Sequence, residues 1–176
     1  MQTVKMVISG AVNAGKTQFI RAISEIEVVS TERKASDDTK LLKGETTVAM
    51  DFGRITISDD LVLHLFGTPG QKRFDFMWEI LSEGMLGLIV LVDSTRPETF
   101  RETNRIIDFF TSQRDAPYVV AANKQDHENA WAPDELRLAL RLPAHVKIVP
   151  CVATQKDSVK NVLLELLYVI MQRSTD

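Results

Sequence analysis

The chain has 176 residues, enough for one compact domain, 1–176, with a sizeable core. Hydrophobic residues are 44% and charged residues 26%, which excludes a disordered or low-complexity chain. The net charge of −3 argues against nucleic acid as the main partner, and the single cysteine, Cys151, excludes an intramolecular disulfide or a Cys-only metal site.

Strand and helix patterns alternate. "TVKMVIS" is an apolar run, "GAVNAGKT" a loop, and "QFIRAISE" a helix. The polar stretch "STERKASDDTKLLKGE" has no period and reads as a mobile loop. "TTVAMDFGRITIS" and "LVLHLFG" are two strands joined at Ser58-Asp59-Asp60 as a hairpin. "FDFMWEILSEG" is a short helix, and "LGLIVLVD" is an aliphatic run suited to a strand covered on both faces. "PETFRETNRIIDFFTS" is a helix with Pro97 near its start, "YVVAANK" a buried strand, "APDELRLALRL" a helix and "VKIVPCVA" a last strand. The final helix begins near Asp157 or Ser158, with Val159, Val162, Leu163, Leu166 and Ile170 on one face.

Six strands and about five helices in this order predict an α/β fold, a mostly parallel sheet with one antiparallel edge strand and helices on both faces. Ligands of such sheets sit beyond the carboxyl ends of the strands, so the loops there hold the informative motifs. The first residues carry no long apolar run, and "MQRSTD" at the end carries no prenylation box. No signal peptide and no lipid anchor are therefore expected, and a cytoplasmic setting fits.

Gly10-Ala11-Val12-Asn13-Ala14-Gly15-Lys16-Thr17 matches G-x-x-x-x-G-K-[ST] between a predicted strand and a predicted helix, which identifies a phosphate loop. Its glycines let the backbone N–H groups turn inward at phosphate oxygens, and the helix N-terminus, running on into Gln18, adds its positive end. Lys16 is expected to reach the β- and γ-phosphates and the Thr17 hydroxyl to ligate Mg²⁺.

Asn123-Lys124-Gln125-Asp126 closes the strand "YVVAANK". A carboxylate only accepts hydrogen bonds, so Asp126 pairs with two donors, guanine N1–H and its exocyclic amine; adenine offers no such pair and would leave it unpaired. Asn123 is expected to tie this loop to the phosphate loop, and Lys124 to cover the base plane. After the last strand, in Val152-Ala153-Thr154, the Ala153 N–H is expected to donate to guanine O6.

With these three elements in order, the chain resembles the Ras-like small GTPases over essentially its whole length. "TTVAMDFGRI" followed by "LFGTPGQ" is similar to bacterial members related to the gliding-motility protein MglA, in particular the Rup group, often associated with roadblock-domain proteins. The resemblance implies GTP and GDP as ligands, Mg²⁺ as cofactor, and a regulatory protein of the roadblock type as partner. It implies a first switch ending at Thr46 or Thr47, one of which senses the γ-phosphate and Mg²⁺. It implies a second switch at Gly67-Thr68-Pro69-Gly70-Gln71, with the Gly70 N–H on the γ-phosphate and Gln71 orienting the attacking water.

Two positions depart from the family pattern. Gly67 stands where an aspartate usually holds a water on Mg²⁺. If the hairpin turns about Asp59 with Ile57 opposite Leu61, Asp51 falls opposite Gly67, within about 5 Å on the same face, and could supply the carboxylate. Val12 replaces a glycine of some relatives and predicts slow intrinsic hydrolysis. Arg33 and Arg73 are the nearest arginines for a catalytic finger, and each reads more simply as a solvated charge. Of Phe74, Phe76, Met77 and Trp78, most are expected in the core and one or two at the surface. The leading function is a GTP-hydrolysing switch, slow alone and stimulated by a partner. The alternatives are a pseudo-GTPase that holds nucleotide without turnover and, opposed by Asp126, a phosphoryl-transfer kinase.

Overall fold

A computed structural model describes residues 1–30, 50–70 and 72–176. The strands are β1 (Gln2–Gly10), β2 (Val29–Ser30), β3 (Asp51–Ser58), β4 (Leu61–Gly67), β5 (Met85–Asp93), β6 (Tyr118–Asn123) and β7 (Ile148–Pro150). The helices are α1 (Lys16–Ile23), α2 (Phe76–Ser82), α3 (Phe100–Gln113), α4 (Pro133–Ala139) and α5 (Lys156–Thr175), with short 3₁₀ turns before α2 and α3. The sheet order is β2-β3-β4-β1-β5-β6-β7. β1, β4, β5, β6 and β7 run parallel, and β3 is antiparallel to its neighbours.

The predicted α/β sheet is present, with one correction. β3 was expected at the edge, but two residues of a seventh strand, Val29 and Ser30, pair with its Phe52 and Asp51. So short a strand leaves no periodic signal.

Two cores lie on the two faces of the sheet. α1 and α5 cover one face, where Phe19, Ile20, Val162 and Leu166 meet Met6, Ile8, Leu65 and Leu91. On the other, Trp78, Phe100, Ile106 and Leu136 meet Val7, Leu88, Val90 and Val120. β1 alternates between the two, Val7 facing one core and Met6 and Ile8 the other, as a strand covered on both faces must. The face predicted for the last helix is the face it buries: Val159, Val162, Leu163 and Leu166 are in the core, and Ile170 packs against it. That helix starts one residue earlier than expected, and Ser158 does not cap it; its hydroxyl oxygen instead accepts the Val152 N–H at 2.8 Å.

The hairpin register is the expected one at its far end and differs at its turn. Asp51 pairs with Gly67, Phe52 with Phe66 and Thr56 with Val62, but Ser58, not Ile57, pairs with Leu61. Ile57 is a bulge beside the two-residue turn Asp59-Asp60. Among the described residues no helix is long and apolar enough to cross a membrane.

Candidate nucleotide-binding site

The carboxyl ends of β1, β4, β5, β6 and β7 bring five loops to one edge of the sheet. The phosphate loop leaves β1 at Gly10, and Lys16 opens α1. Asn13 takes a left-handed φ of 63°, and the Ala14 N–H returns to the Ala11 carbonyl at 3.1 Å, which closes the loop on itself. Lys16 is buried, and its Nζ donates to the carbonyls of Gly10 and Ala11 at 2.6 and 2.9 Å. The ammonium is thus held in the wall of a cavity of about 450 Å³ lined by Val12, Asn13, Gly15, Lys16, Thr17, Gln18, Arg21 and Gly70.

This cavity brings Gly70 of the expected second switch onto the phosphate loop. A Cβ placed on Gly70 would lie 3.2 Å from both Cα and Cγ2 of Val12 and 3.4 Å from Lys16 Nζ. Val12 therefore stands between the two loops. Thr68, two residues earlier, is anchored in the core: its hydroxyl pairs with that of Ser9 at 2.9 Å and its N–H donates to the Ile8 carbonyl at 2.9 Å.

Arg21 was missed from sequence. It lies four residues after Thr17 on α1, so both project from one side of the helix into the phosphate cavity. That spacing from the motif threonine was the available signal. Arg73 stacks its guanidinium 4.6 Å from the centre of the Phe74 ring. Arg33, Thr46, Thr47 and Gln71 lie outside the described residues. Of the aromatic cluster, half rather than most is core: Met77 and Trp78 are buried, Phe74 is intermediate and Phe76 about half exposed.

Asp51 meets the phosphate loop. The Thr17 hydroxyl donates to Asp51 Oδ2 at 2.5 Å. Asp51 is 4% exposed, and its Oδ1 is buried with no hydrogen-bond partner among the described residues. A Cβ placed on Gly67 would lie 2.9 Å from Ile20 Cδ1, 3.1 Å from Asp51 Cβ and 3.4 Å from Asp51 Oδ2. The Asp51 carboxylate thus fills the space that a side chain at position 67 would need.

The donor set fits a magnesium ion. Among the described residues no group of three or more His, Cys, Asp or Glu could hold an ion alone. Magnesium is ordinarily held by one or two carboxylates together with substrate phosphates and water. The Thr17 oxygen has lone pairs to give while its O–H points at Asp51 Oδ2, and Asp51 Oδ1 is an acceptor without a donor among the described residues.

The base side is a second cavity, about 160 Å³, lined by Gly15, Gln18, Asn123, Lys124, Asp126, His127, Val152, Ala153 and Thr154. Asn123 ties the loops together as expected, its Nδ2 donating to the Ala14 carbonyl at 2.8 Å. Gly15, with φ of 105°, allows this: a Cβ there would sit 2.5 Å from Asn123 Nδ2. The Ala153 N–H, expected to meet the base edge, instead donates to Asn123 Oδ1 at 2.9 Å, because the anchored amide turns its oxygen toward that loop. Lys124 has a left-handed φ of 65°, and its Nζ donates to Asp93 Oδ2 at 2.7 Å. Burial raises the Asp93 carboxyl pKa, but hydrogen bonds from Lys124 and Thr95 outweigh it and hold the group below its ordinary value.

Known proteins bear on this arrangement. The uncharacterized protein MJ1339 of Methanocaldococcus jannaschii is 36% identical over 127 residues, covering 70% of this chain and 71% of that protein. ADP-ribosylation factor-like protein 3 of Saccharomyces cerevisiae is 24% identical over 178 residues, 96% of this chain and 86% of that one. ADP-ribosylation factor-related protein 1 of Rattus norvegicus is 26% identical over 137 residues, covering 76% of this chain and 65% of the relative. These likenesses support the relationship to Ras-like small GTPases and give no support to the narrower MglA and Rup likeness. A family model described as "conserved hypothetical ATP binding protein" matches residues 8–173, from within β1 almost to the end of α5, and the chain belongs to that nucleotide-binding family.

Proposed function

We propose that the protein is a GTP-binding switch that hydrolyses GTP slowly on its own. The observation that carries this reading is the joining of the two cavities by Asn123, with Asp126 lining the base side and Lys16 and Thr17 the phosphate side. Adenine would leave the Asp126 carboxylate without its pair of donors, so the reading favours guanine despite the family's description. A nucleotide lying across Gly15 would place its base beside Asp126 and its phosphates over the N-terminus of α1.

Lys16, the phosphate-loop N–H groups of 10–17 and the Gly70 N–H bind and orient the phosphates in this reading. Thr17 and Asp51 would hold a magnesium ion, with Thr46 or Thr47, outside the described residues, proposed to complete the set. When bound, the ion would neutralise charge developing on the β- and γ-oxygens. Gln71 orients the attacking water, and Val12, whose Cγ2 lies 3.2 Å from where a Cβ on Gly70 would stand, crowds that water's approach.

Competition binding of GTP against ATP tests the base assignment, and equal affinities would overturn it. Single-turnover hydrolysis with Mg²⁺ tests the chemistry. Gln71→Leu should slow it at least about tenfold, and Val12→Gly should speed it. The same Val12 crowding favours the second reading, a pseudo-GTPase that binds partners without turnover. Hydrolysis no faster than in the Gln71→Leu variant would select that reading. A roadblock-domain protein remains the proposed regulatory partner, on the resemblance of "TTVAMDFGRI" followed by "LFGTPGQ", and a cytoplasmic setting is part of the same proposal.

A further inference from the structure

Asp93 ends β5 directly beside Asn123, the last residue of β6. It is 1% exposed. Its Oδ1 accepts the Thr95 N–H at 3.0 Å and the Thr95 hydroxyl at 2.6 Å, which fixes the turn after β5. Its Oδ2 accepts Lys124 Nζ at 2.7 Å. The adjoining residues repeat the attachment. The Ser94 N–H donates to the Asn123 carbonyl at 3.2 Å, and Gln125 Nε2 donates to Ser94 Oγ at 3.0 Å. Gln125 Nε2 also donates to the Trp131 carbonyl at 2.9 Å, and the Trp131 N–H returns to the Ser94 carbonyl at 2.8 Å.

The consequence lies in the Lys124 side chain. Lys124 and Asp126 line the same base cavity, and a left-handed Lys124 turns the chain between them. A lysine stem carries four rotatable bonds, and an untethered one would sample many rotamers across the cavity mouth. With the ammonium bound to a buried carboxylate, the stem is held along one wall of the cavity before any ligand arrives. Resting on the proposal that this cavity takes a purine base, we infer that Asp93 is a positioning residue for nucleotide binding, acting through Lys124 to preorganise the wall on which the base lies.

The ordering of one long side chain ahead of binding corresponds to about a tenfold gain in affinity. The test is a double-mutant cycle on the full chain with a fluorescent GDP, reading affinity and release rate alongside thermal unfolding. Asp93→Asn removes the charge and keeps the shape. Lys124→Met keeps the stem and removes the tether. Each single variant is expected to bind about tenfold more weakly and release faster, and the double variant is expected to be no weaker than Lys124→Met alone. If Asp93→Asn costs as much in the Lys124→Met background as in the wild type, Asp93 acts through the fold and the inference fails. An Asp93→Asn variant with wild-type affinity also overturns it. The guanine reading is judged separately, from the preference of the wild type for GDP over ADP. A lysine stem would flank either purine, so the cycle stands or falls regardless of that preference.

Discussion

Replacing Asp51 by alanine separates a functional carboxylate from a structural one. The side chain is 4% exposed, accepts one hydrogen bond from Thr17, and leaves its other oxygen buried without a partner among the described residues. A carboxylate placed so is unfavourable for folding, so Asp51→Ala should leave the thermal stability of the nucleotide-free protein unchanged or higher. Its effect on magnesium should run the other way. Loss of a residue that orients a metal-bound group typically weakens metal affinity or activity about 10–100-fold. That range corresponds to about 1.4–2.7 kcal/mol. Titration of fluorescent GTP with and without Mg²⁺ reads the change directly.

The reciprocal exchange sharpens the test. Gly67→Asp alone crowds Ile20 and Asp51 and sets two carboxylates side by side in a buried place. Overpacking of this kind costs about 1–3 kcal/mol, and each kcal/mol lowers Tm by about 2–4 °C in a chain of this size. Adding Asp51→Gly removes the crowding by Asp51, leaves only Ile20 Cδ1, the terminal methyl of its side chain, to give way, and leaves one carboxylate again. The double variant should therefore recover both stability and part of the magnesium dependence. Asp51→Ala binding Mg²⁺–GTP with wild-type affinity and turnover would refute the argument, as would an exchange variant no better than either parent.

Arg21 shares the phosphate cavity, and a unit charge about 8 Å from a phosphate at an effective dielectric of about 40 gives about 1 kcal/mol. Arg21→Ala should thus weaken GTP binding about fivefold, and the difference should fade in high salt, as a titration at two ionic strengths will show. The Asp93 carboxyl is held below its ordinary value of 3.8, so its contribution to stability is complete above that pH and is lost as the pH falls through the folded value. Denaturant melts of wild type and Asp93→Asn should differ by a constant amount above about pH 5 and converge below about pH 4; a gap that widens on acidification would contradict the ion pair with Lys124. Cys151 is buried, which pushes its thiol up to about 11, against a smaller opposing effect from Ser158. At pH 8 about one thiol in a thousand is then ionised, so alkylation of the native protein should be slower by two orders of magnitude than after unfolding.

The sheet and the ligand loops were legible because their signals are local. Phosphate loop and N-K-x-D motif each sit at a strand end, and periodicity placed those strands. What escaped needed three dimensions. Val29 and Ser30 form a strand only because β3 offers an edge. Arg21 enters the site because α1 turns it toward Thr17, and the Ala153 N–H is taken by an asparagine thirty residues earlier in the chain. Asp93 reads as the polar end of a buried strand until its neighbour across the sheet is known. The place of Asp126 in the cavity beside Asn123 and Ala153 is structural, whereas its proposed pairing with a base rests on residue type alone, an acceptor-only carboxylate.

The placement of Asp51 opposite Gly67 shows why a register can be correct when its premise is not. The expected pair Ile57–Leu61 does not form, yet every pair from Thr56 back to Asp51 keeps the expected partner. The turn is therefore not what fixes the far end. The fixing contact is the bed on which β3 lies. A Cβ on Gly53 would come 2.4 Å from Ile20 Cγ2, and one on Gly67 2.9 Å from Ile20 Cδ1, so a single isoleucine of α1 occupies the space over both glycines. A slip of one residue would turn Phe52 or Arg54 onto Ile20, where not even a methyl group fits. Those side chains belong to the opposite face, where Phe52 packs against His64 and Phe66 with ring centres 5.2 and 5.1 Å apart. The Ser24 hydroxyl, one turn beyond Ile20, accepts the Arg54 N–H at 3.1 Å, and Glu25 accepts the Thr56 N–H at 2.8 Å. The bulge at Ile57 absorbs the residue by which the turn and this bed disagree. The glycines at 53 and 67 thus do for the carboxylate what the hairpin turn was expected to do: they let α1 dictate that Asp51, and no neighbour of it, faces Thr17.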